Sequence, residues 1–144
     1  MTINLTAQKI GLVSLNHGQK NSMDHYLGIR FTGMGRDWLA AEMPFSERTR
    51  QPFGLLHGGA SVVMIESLGS TASFLCVHRN GQRVTGMEVN ANHLRQVRSG
   101  TVRGFSRPLY IGSSVHVWSV DLFRDDGKLS TTGRLTVAIL PSAG

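Results

Sequence analysis

Between His57 and His78, apolar residues at Met64, Leu68, Ala72 and Leu75 recur at three- and four-residue spacing, and Arg79, Asn80 and Gly81 supply stop signals. That period predicts one long helix whose apolar stripe needs a sheet to pack on. Upstream the pattern shortens into two β-like runs, Leu27 to Thr32 and Trp38 to Met43. Gly33, Gly35 and Asp37 between them are turn formers, so the pair reads as a hairpin. Pro44, Pro52 and the polar residues between them predict a loop before the helix. Downstream come four further β-like runs, approximately 83–93, 101–109, 114–123 and 130–140. The stretch Arg124-Asp-Asp-Gly-Lys128 is a hairpin turn signal between the last two. The expected class is α+β: a hairpin, a helix, then a four-strand antiparallel meander. Residues 1–22 show no convincing period and read as an N-terminal arm on a domain spanning 23–144.

Length and composition narrow this further. The chain has 144 residues, 40% of them hydrophobic, with 17 glycines, which suits one globular domain and excludes a disordered or collagenous chain. Glu66, Arg79 or a glycine breaks each apolar stretch short of the roughly 20 residues of a bilayer span. No membrane association is expected. Met1 to Lys20 lacks the features of a secretory leader, so the expected location is cytoplasmic. The one cysteine, Cys76, offers neither an internal disulfide nor a thiolate metal site, and no metal or cofactor is expected. A net charge of +6 favours an anionic partner. Nucleic acid is not expected, because the helix is the least charged part of the chain and basic and aromatic residues do not interleave.

The helix carries the chemistry. Gly58 and Gly59 stand at its start, where glycine leaves unsatisfied backbone N–H groups unobstructed and a polarised oxygen can be held. Glu66 is the single charged residue between Ala60 and Val77. It lies about 200° around the helix from Met64, so it should point away from the sheet-packing stripe, on a face with Gly59, Val62, Gly69, Ser70 and Ser73. A carboxylate on so apolar a helix is a candidate base or nucleophile with a raised pKa. Gly58 and Glu66 are separated by about 12 Å of helix, too far to address one carbonyl carbon. Two antiparallel copies of the helix related by a two-fold axis would join them and make two equal sites. Serine chemistry is not expected, since no Gly-x-Ser-x-Gly elbow occurs, and Gly33-x-Gly35 is turn chemistry rather than a nucleotide fingerprint.

The run Gln51-Pro-Phe-Gly-Leu-Leu-His-Gly-Gly-Ala-Ser61, the glutamate eight residues after Gly58, Asn90-Ala-Asn-His93 and Ser99-Gly-Thr-Val-Arg-Gly104 resemble the hotdog-fold acyl-CoA thioesterases. The similarity runs from about Asp24 to Leu140. It points to the bacterial branch that includes 1,4-dihydroxy-2-naphthoyl-CoA thioesterase and the enterobactin-pathway proofreading thioesterase. The resemblance implies a sheet wrapped around the long helix, and dimers formed through a continuous sheet that assemble as homotetramers. It also implies roles: Glu66 as catalytic carboxylate, Gly58 as the amide polarising the thioester carbonyl, and Gln51 and His57 beside the thioester. Ser70 would stand by the attacking water, and His93, with Asn90 of the same motif, in the substrate pocket.

Arg95, Arg98, Arg103 and Arg107 are candidates for the phosphates of coenzyme A, with Arg95 and Arg103 foremost. Gly112-Ser113 matches a pair that relatives often follow with a basic residue, whereas Ser114 and Val115 follow here. The substrate is thus expected to be an acyl-CoA, aromatic or medium-chain. The alternatives are an aryl group mis-loaded on a carrier protein, or a non-catalytic acyl-CoA-binding module.

Overall fold

A computed structural model describes residues 3–143. Two short helices, α1 (Leu12–Gly18) and α2 (Met23–Leu27), precede strands β1 (Arg30–Met34) and β2 (Leu39–Pro44). The long helix α3 (Gly58–Val77) follows, and then β3 (Arg83–His93), β4 (Thr101–Ile111), β5 (Val115–Phe123) and β6 (Leu129–Leu140). All six strands form one antiparallel sheet in the order β1-β2-β4-β5-β6-β3.

That order corrects the expected four-strand meander. Of the four strands after the helix, only β4, β5 and β6 follow one another; β3 runs to the far side and pairs with β6, while β2 takes its place beside β4. The long connection 94–100 makes this crossing possible. The first expected strand is also displaced, because Met23–Leu27 is helical, capped by Ser22 at its start and closed by Gly28 at φ +77°. The N-terminal residues 3–22 contain a 3₁₀ turn at Leu5–Gln8 as well as α1, and Leu5 and Leu15 are buried in the same core as the sheet.

The sheet curls around α3, which touches every strand from β2 to β6. Met64, Ile65, Leu68, Ala72 and Leu75 are completely buried against Val102, Trp118, Leu122, Leu135 and Val137. By length and composition α3 with its terminal turn, Gly58–Asn80, is long and apolar enough to cross a bilayer, contrary to the expectation that Glu66 breaks the stretch short. Here it is the core helix of the fold, enclosed by the sheet.

The two sheet edges are treated differently. At β1, Asn16 of α1 donates from Nδ2 to the Phe31 carbonyl (2.9 Å) and accepts the Phe31 N–H at Oδ1 (2.8 Å), so a side chain replaces a neighbouring strand. At β3, eleven residues long and largely exposed, no such cover exists among the described residues.

Candidate active site

His57 is the N-cap of α3. Its backbone is extended, and its Nδ1 accepts the Gly59 N–H at 2.8 Å. Its carbonyl accepts from Ala60 and Ser61, which leaves the Gly58 N–H without an acceptor among the described residues. Because Nδ1 accepts, the neutral ring carries its proton on Nε2, which is free to donate. Gly58 is glycine for a local reason: a β-carbon there would stand 2.9 Å from His93 Nε2. His93, at the end of β3, is steadied by Thr131 Oγ1 at 3.3 Å from its Nδ1. Gln51, Gly58, Ser61, His93 and Arg95 share one cavity of about 400 Å³. The Gln51 side-chain carbonyl is turned onto its own loop, accepting from the Phe53 and Leu55 N–H groups.

Glu66 stands elsewhere. Measured from Met64, the buried positions of α3 sweep an arc of about 260°, from Ala60 to Val77, because the sheet wraps more than half of the helix. Glu66 sits at the rim of that arc, and its carboxylate rests on Gly86 of β3. This corrects the expectation that it points away from the sheet. Gly69 and Ser73, expected on its face, are buried in the sheet instead: Gly69 against Leu135, and Ser73 accepting from Trp118 Nε1 at 2.7 Å and lying 3.1 Å from His116 Nδ1. At the Glu66 position β3 carries a bulge between Gly86 and Glu88, a device that re-aims side chains. Burial raises the pKa of Glu66 above the ordinary carboxylate value, and a long hydrogen bond from Ser70 Oγ (3.5 Å) partly offsets this.

The remaining candidates are dispersed. Asn90 lies on the exposed part of β3, with Nδ2 donating to Glu88, and lines a different recess with Arg134. Arg103 is exposed on β4 and Ser113 is exposed in the β4–β5 turn; neither joins the cavity around Gly58. Among nearby apolar side chains, Leu56 lines that cavity, Phe53 is exposed at 88%, and Met64 is core. Sequence reading missed Thr131, which orients His93, and Gly86, although a glycine inside a strand is a signal of close approach. Cys76 is partly buried, its thiol pushed up to about 11 by burial, and so is a poor nucleophile. Among the described residues no three His, Cys, Asp or Glu side chains converge as a metal site.

The chain therefore offers an unfilled backbone donor with neighbouring polar side chains at one end of β3, and a partly desolvated carboxylate towards the other. The first suits a developing oxyanion, the second a base or nucleophile. Residues 53–131 match the family model described as the thioesterase superfamily. A 1,4-dihydroxy-2-naphthoyl-CoA hydrolase of Escherichia coli K12 is 50% identical over 92% of this chain and 97% of its own length. The crystal structure of a mutant thioesterase from Pseudomonas aeruginosa superposes with TM-score 0.90 at 52% identity, covering 92% of this chain and 96% of that one. A thioesterase from Haemophilus influenzae gives TM-score 0.91 at 41% identity, covering 94% of each chain. With a curved antiparallel sheet around one central helix and relatives this similar along nearly its whole length, the chain belongs to the thioesterase superfamily and is a thioester hydrolase of the hotdog fold.

Proposed function

We propose that this enzyme hydrolyses acyl-CoA thioesters with an aromatic or medium-chain acyl group, at sites shared between two subunits. The observation that carries the reading is the separation of the two functional groups along β3. Gly58 packs against His93 at one end of the strand and Glu66 against Gly86 near the other. If two copies pair antiparallel through their open β3 edges, a two-fold axis near residues 89–90 exchanges these ends. Gly58 of one protomer then faces Glu66 of the partner subunit, twice over. The contrast between a plugged β1 edge and an uncovered β3 edge supports that pairing.

At each site the thioester carbonyl oxygen accepts the Gly58 N–H, while Gln51 and the Nε2–H of His57 stand beside the thioester. Donors already fixed at a helix start stabilise the oxyanion without reorganisation, an effect worth about 3–4 kcal/mol per donor in comparable sites. Glu66 of the partner subunit either adds to the carbonyl carbon, giving a mixed anhydride that water cleaves, or takes a proton from an attacking water beside Ser70. In both routes water is consumed, the C–S bond breaks, and the free acid and thiol leave. The similarity to a hydrolase named for an aromatic acyl-CoA supports the aromatic preference. Exposed Phe105, Leu109 and Tyr110 on β4 provide an apolar surface through which dimers could assemble as homotetramers, and a lone free Cys76 suits a reducing, cytoplasmic setting.

The test is a hydrolysis panel of benzoyl-, naphthoyl-, medium- and long-chain acyl-CoA together with an aryl-loaded carrier protein. Highest kcat/KM on an aromatic or medium-chain acyl-CoA is expected. Preference for the carrier protein would replace the substrate assignment with proofreading, and ligand binding without thiol release would make the chain a binding module. Shared sites are tested by co-expressing His57→Ala with Glu66→Gln: in the mixed dimer one site receives both defects and the other none. Activity above that of either parent is expected, and its absence would return the site to a single subunit.

A further inference from the structure

The loop that leads into α3 closes a small ring around Gln51. Pro52 opens and Gly54 closes a three-residue hairpin loop, in which the Gly54 N–H donates to the Gln51 carbonyl at 3.0 Å and the Gln51 N–H donates to the Leu55 carbonyl at 2.7 Å. Arg50 and Leu56 extend the pairing by one antiparallel bridge. The Gln51 side chain folds into the same ring. Its Oε1 accepts the Phe53 N–H and, at 3.4 Å, the Leu55 N–H. Both partners are donors, so the atom between them is the oxygen and the sense of the amide is fixed.

The loop thus uses the backbone N–H, the backbone carbonyl and the side-chain oxygen of Gln51. Nε2, with two N–H groups, has no acceptor among the described residues, although Gln51 lines the cavity that holds Gly58. Turning the amide over would set those N–H groups against the Phe53 and Leu55 N–H groups, donor against donor. Gln51 can therefore offer the cavity a donor and not an acceptor. Gly54 sustains this arrangement. Its φ of +81° lies in the left-handed region that side chains disfavour, yet a β-carbon there would meet nothing within 4 Å. Backbone conformation alone calls for the glycine. That conformation sets the angle between the peptides on either side, and so brings the Leu55 N–H onto the oxygen that the Phe53 N–H already binds. Gly54 itself is exposed and does not line the cavity.

We propose that Gly54 is a positioning residue for thioester hydrolysis: its left-handed turn clamps Gln51 Oε1 between two backbone N–H groups and so presents Nε2–H, beside the Gly58 N–H, to the thioester carbonyl oxygen. This rests on the acyl-CoA thioesterase reading and deepens it. An unclamped glutamine would spend part of its time with Oε1 toward the developing oxyanion, where the two oxygens repel. The clamp removes that state before substrate arrives.

The test is a double-mutant cycle on the full-length protein, with the acyl-CoA that it turns over fastest. Gln51→Ala is expected to lower kcat about 100-fold, the order of losing one oxyanion donor. Gly54→Ala is expected to lower it about tenfold with KM little changed. In the double variant kcat should equal that of Gln51→Ala, since the turn then has no amide to aim. Multiplied losses of about 1,000-fold would overturn the positioning role and leave Gly54 a structural residue. Asparagine tolerates the left-handed region, so Gly54→Asn should keep kcat within about threefold of wild type; a loss as deep as that of alanine would overturn the backbone argument. Gln51→Glu keeps an oxygen for the Phe53 and Leu55 N–H groups but has no N–H to give. It should be no more active than Gln51→Ala, and turnover near wild type would overturn the donor role. Nitrogen-15 relaxation of the Gln51 side-chain amide needs no turnover and separates the clamp from the thioesterase reading. An ordered Nε2 group in wild type and Gly54→Asn, mobile in Gly54→Ala, is expected. Equal mobility in all three would overturn the clamp even if acyl-CoA is hydrolysed, whereas the expected pattern in a protein inactive on every acyl-CoA would support the clamp and overturn the thioesterase reading.

Discussion

The carboxylate of Glu66 rests so closely on Gly86 that a β-carbon at Gly86 would occupy the space of Oε1. The backbone of β3, bulged at this point, is the floor on which the carboxylate is aimed. Gly86→Ala is therefore expected to displace the Glu66 side chain while the strand persists, because the conflict is with the tip of a flexible group. A displacement on the order of 1 Å costs up to about 100-fold in rate. The expected outcome is kcat lowered about 10- to 100-fold with the thermal midpoint little changed; wild-type kcat would mean that the carboxylate's position is not critical.

Glu66 itself links activity to stability through its raised pKa. In the proposed mechanism its ionised form acts as base or nucleophile, so kcat/KM should fall as pH drops through a value above the ordinary 4.5 of a glutamate. The stability effect has the opposite sense. A carboxyl whose folded pKa is raised favours the fold below its unfolded pKa, and that benefit is lost as pH rises through the folded value. Glu66→Gln should thus reduce hydrolysis by orders of magnitude while leaving stability at pH 8 equal or higher. Urea titrations at pH 4 and pH 8 measure the second effect, and a marked loss of stability at pH 8 would contradict it.

Much of the fold is legible in the sequence. The helix at residues 57–78 and the strands after it stand close to their expected bounds, because the three- and four-residue spacing from Met64 to Leu75 and the Asp-Gly turn at 126–127 are local signals. Strand order was not legible. Whether β3 lies beside β4 or beside β6 depends on how far the 94–100 connection carries the chain, and no residue within either strand encodes that. Helix arithmetic likewise misassigned Gly69 and Ser73, since it presumes a flat partner whereas this sheet wraps the helix. Gly58 is legible as a candidate from the helix start and His57 from the family resemblance, but Thr131, brought to His93 by the β3–β6 register, requires the fold.

A buried carboxyl, Asp24, supports α3 from below. Asp24 of α2 is nearly inaccessible, accepts a hydrogen bond from Ser67 Oγ at 2.5 Å, and has its pKa raised by burial, with the Ser67 bond pulling the other way. Ser67→Ala removes that compensation and should cost about 1–3 kcal/mol, the usual penalty for an unsatisfied buried partner. The loss should grow as pH rises and Asp24 ionises. Asp24→Asn keeps the acceptor and removes the charge, so at pH 8 it should be neutral or stabilising. Denaturant unfolding of both variants at pH 5 and pH 8 distinguishes this account from simple packing, for which the two pH values would give the same loss.

His57 has two duties that different substitutions separate. Nδ1 caps the helix by accepting the Gly59 N–H, and in the proposed mechanism Nε2–H is the donor directed to the thioester. Asparagine is a strong N-cap whose side-chain oxygen can accept the same N–H, but it does not reach as far as Nε2. His57→Ala should lose both functions, costing about 1 kcal/mol of stability along with activity. His57→Asn should recover most of the stability yet stay as inactive as the alanine variant. Thermal unfolding with kcat on one acyl-CoA checks both. If asparagine restored turnover, the cap alone would account for the histidine; if it failed to restore stability, the cap would not be the source of the loss.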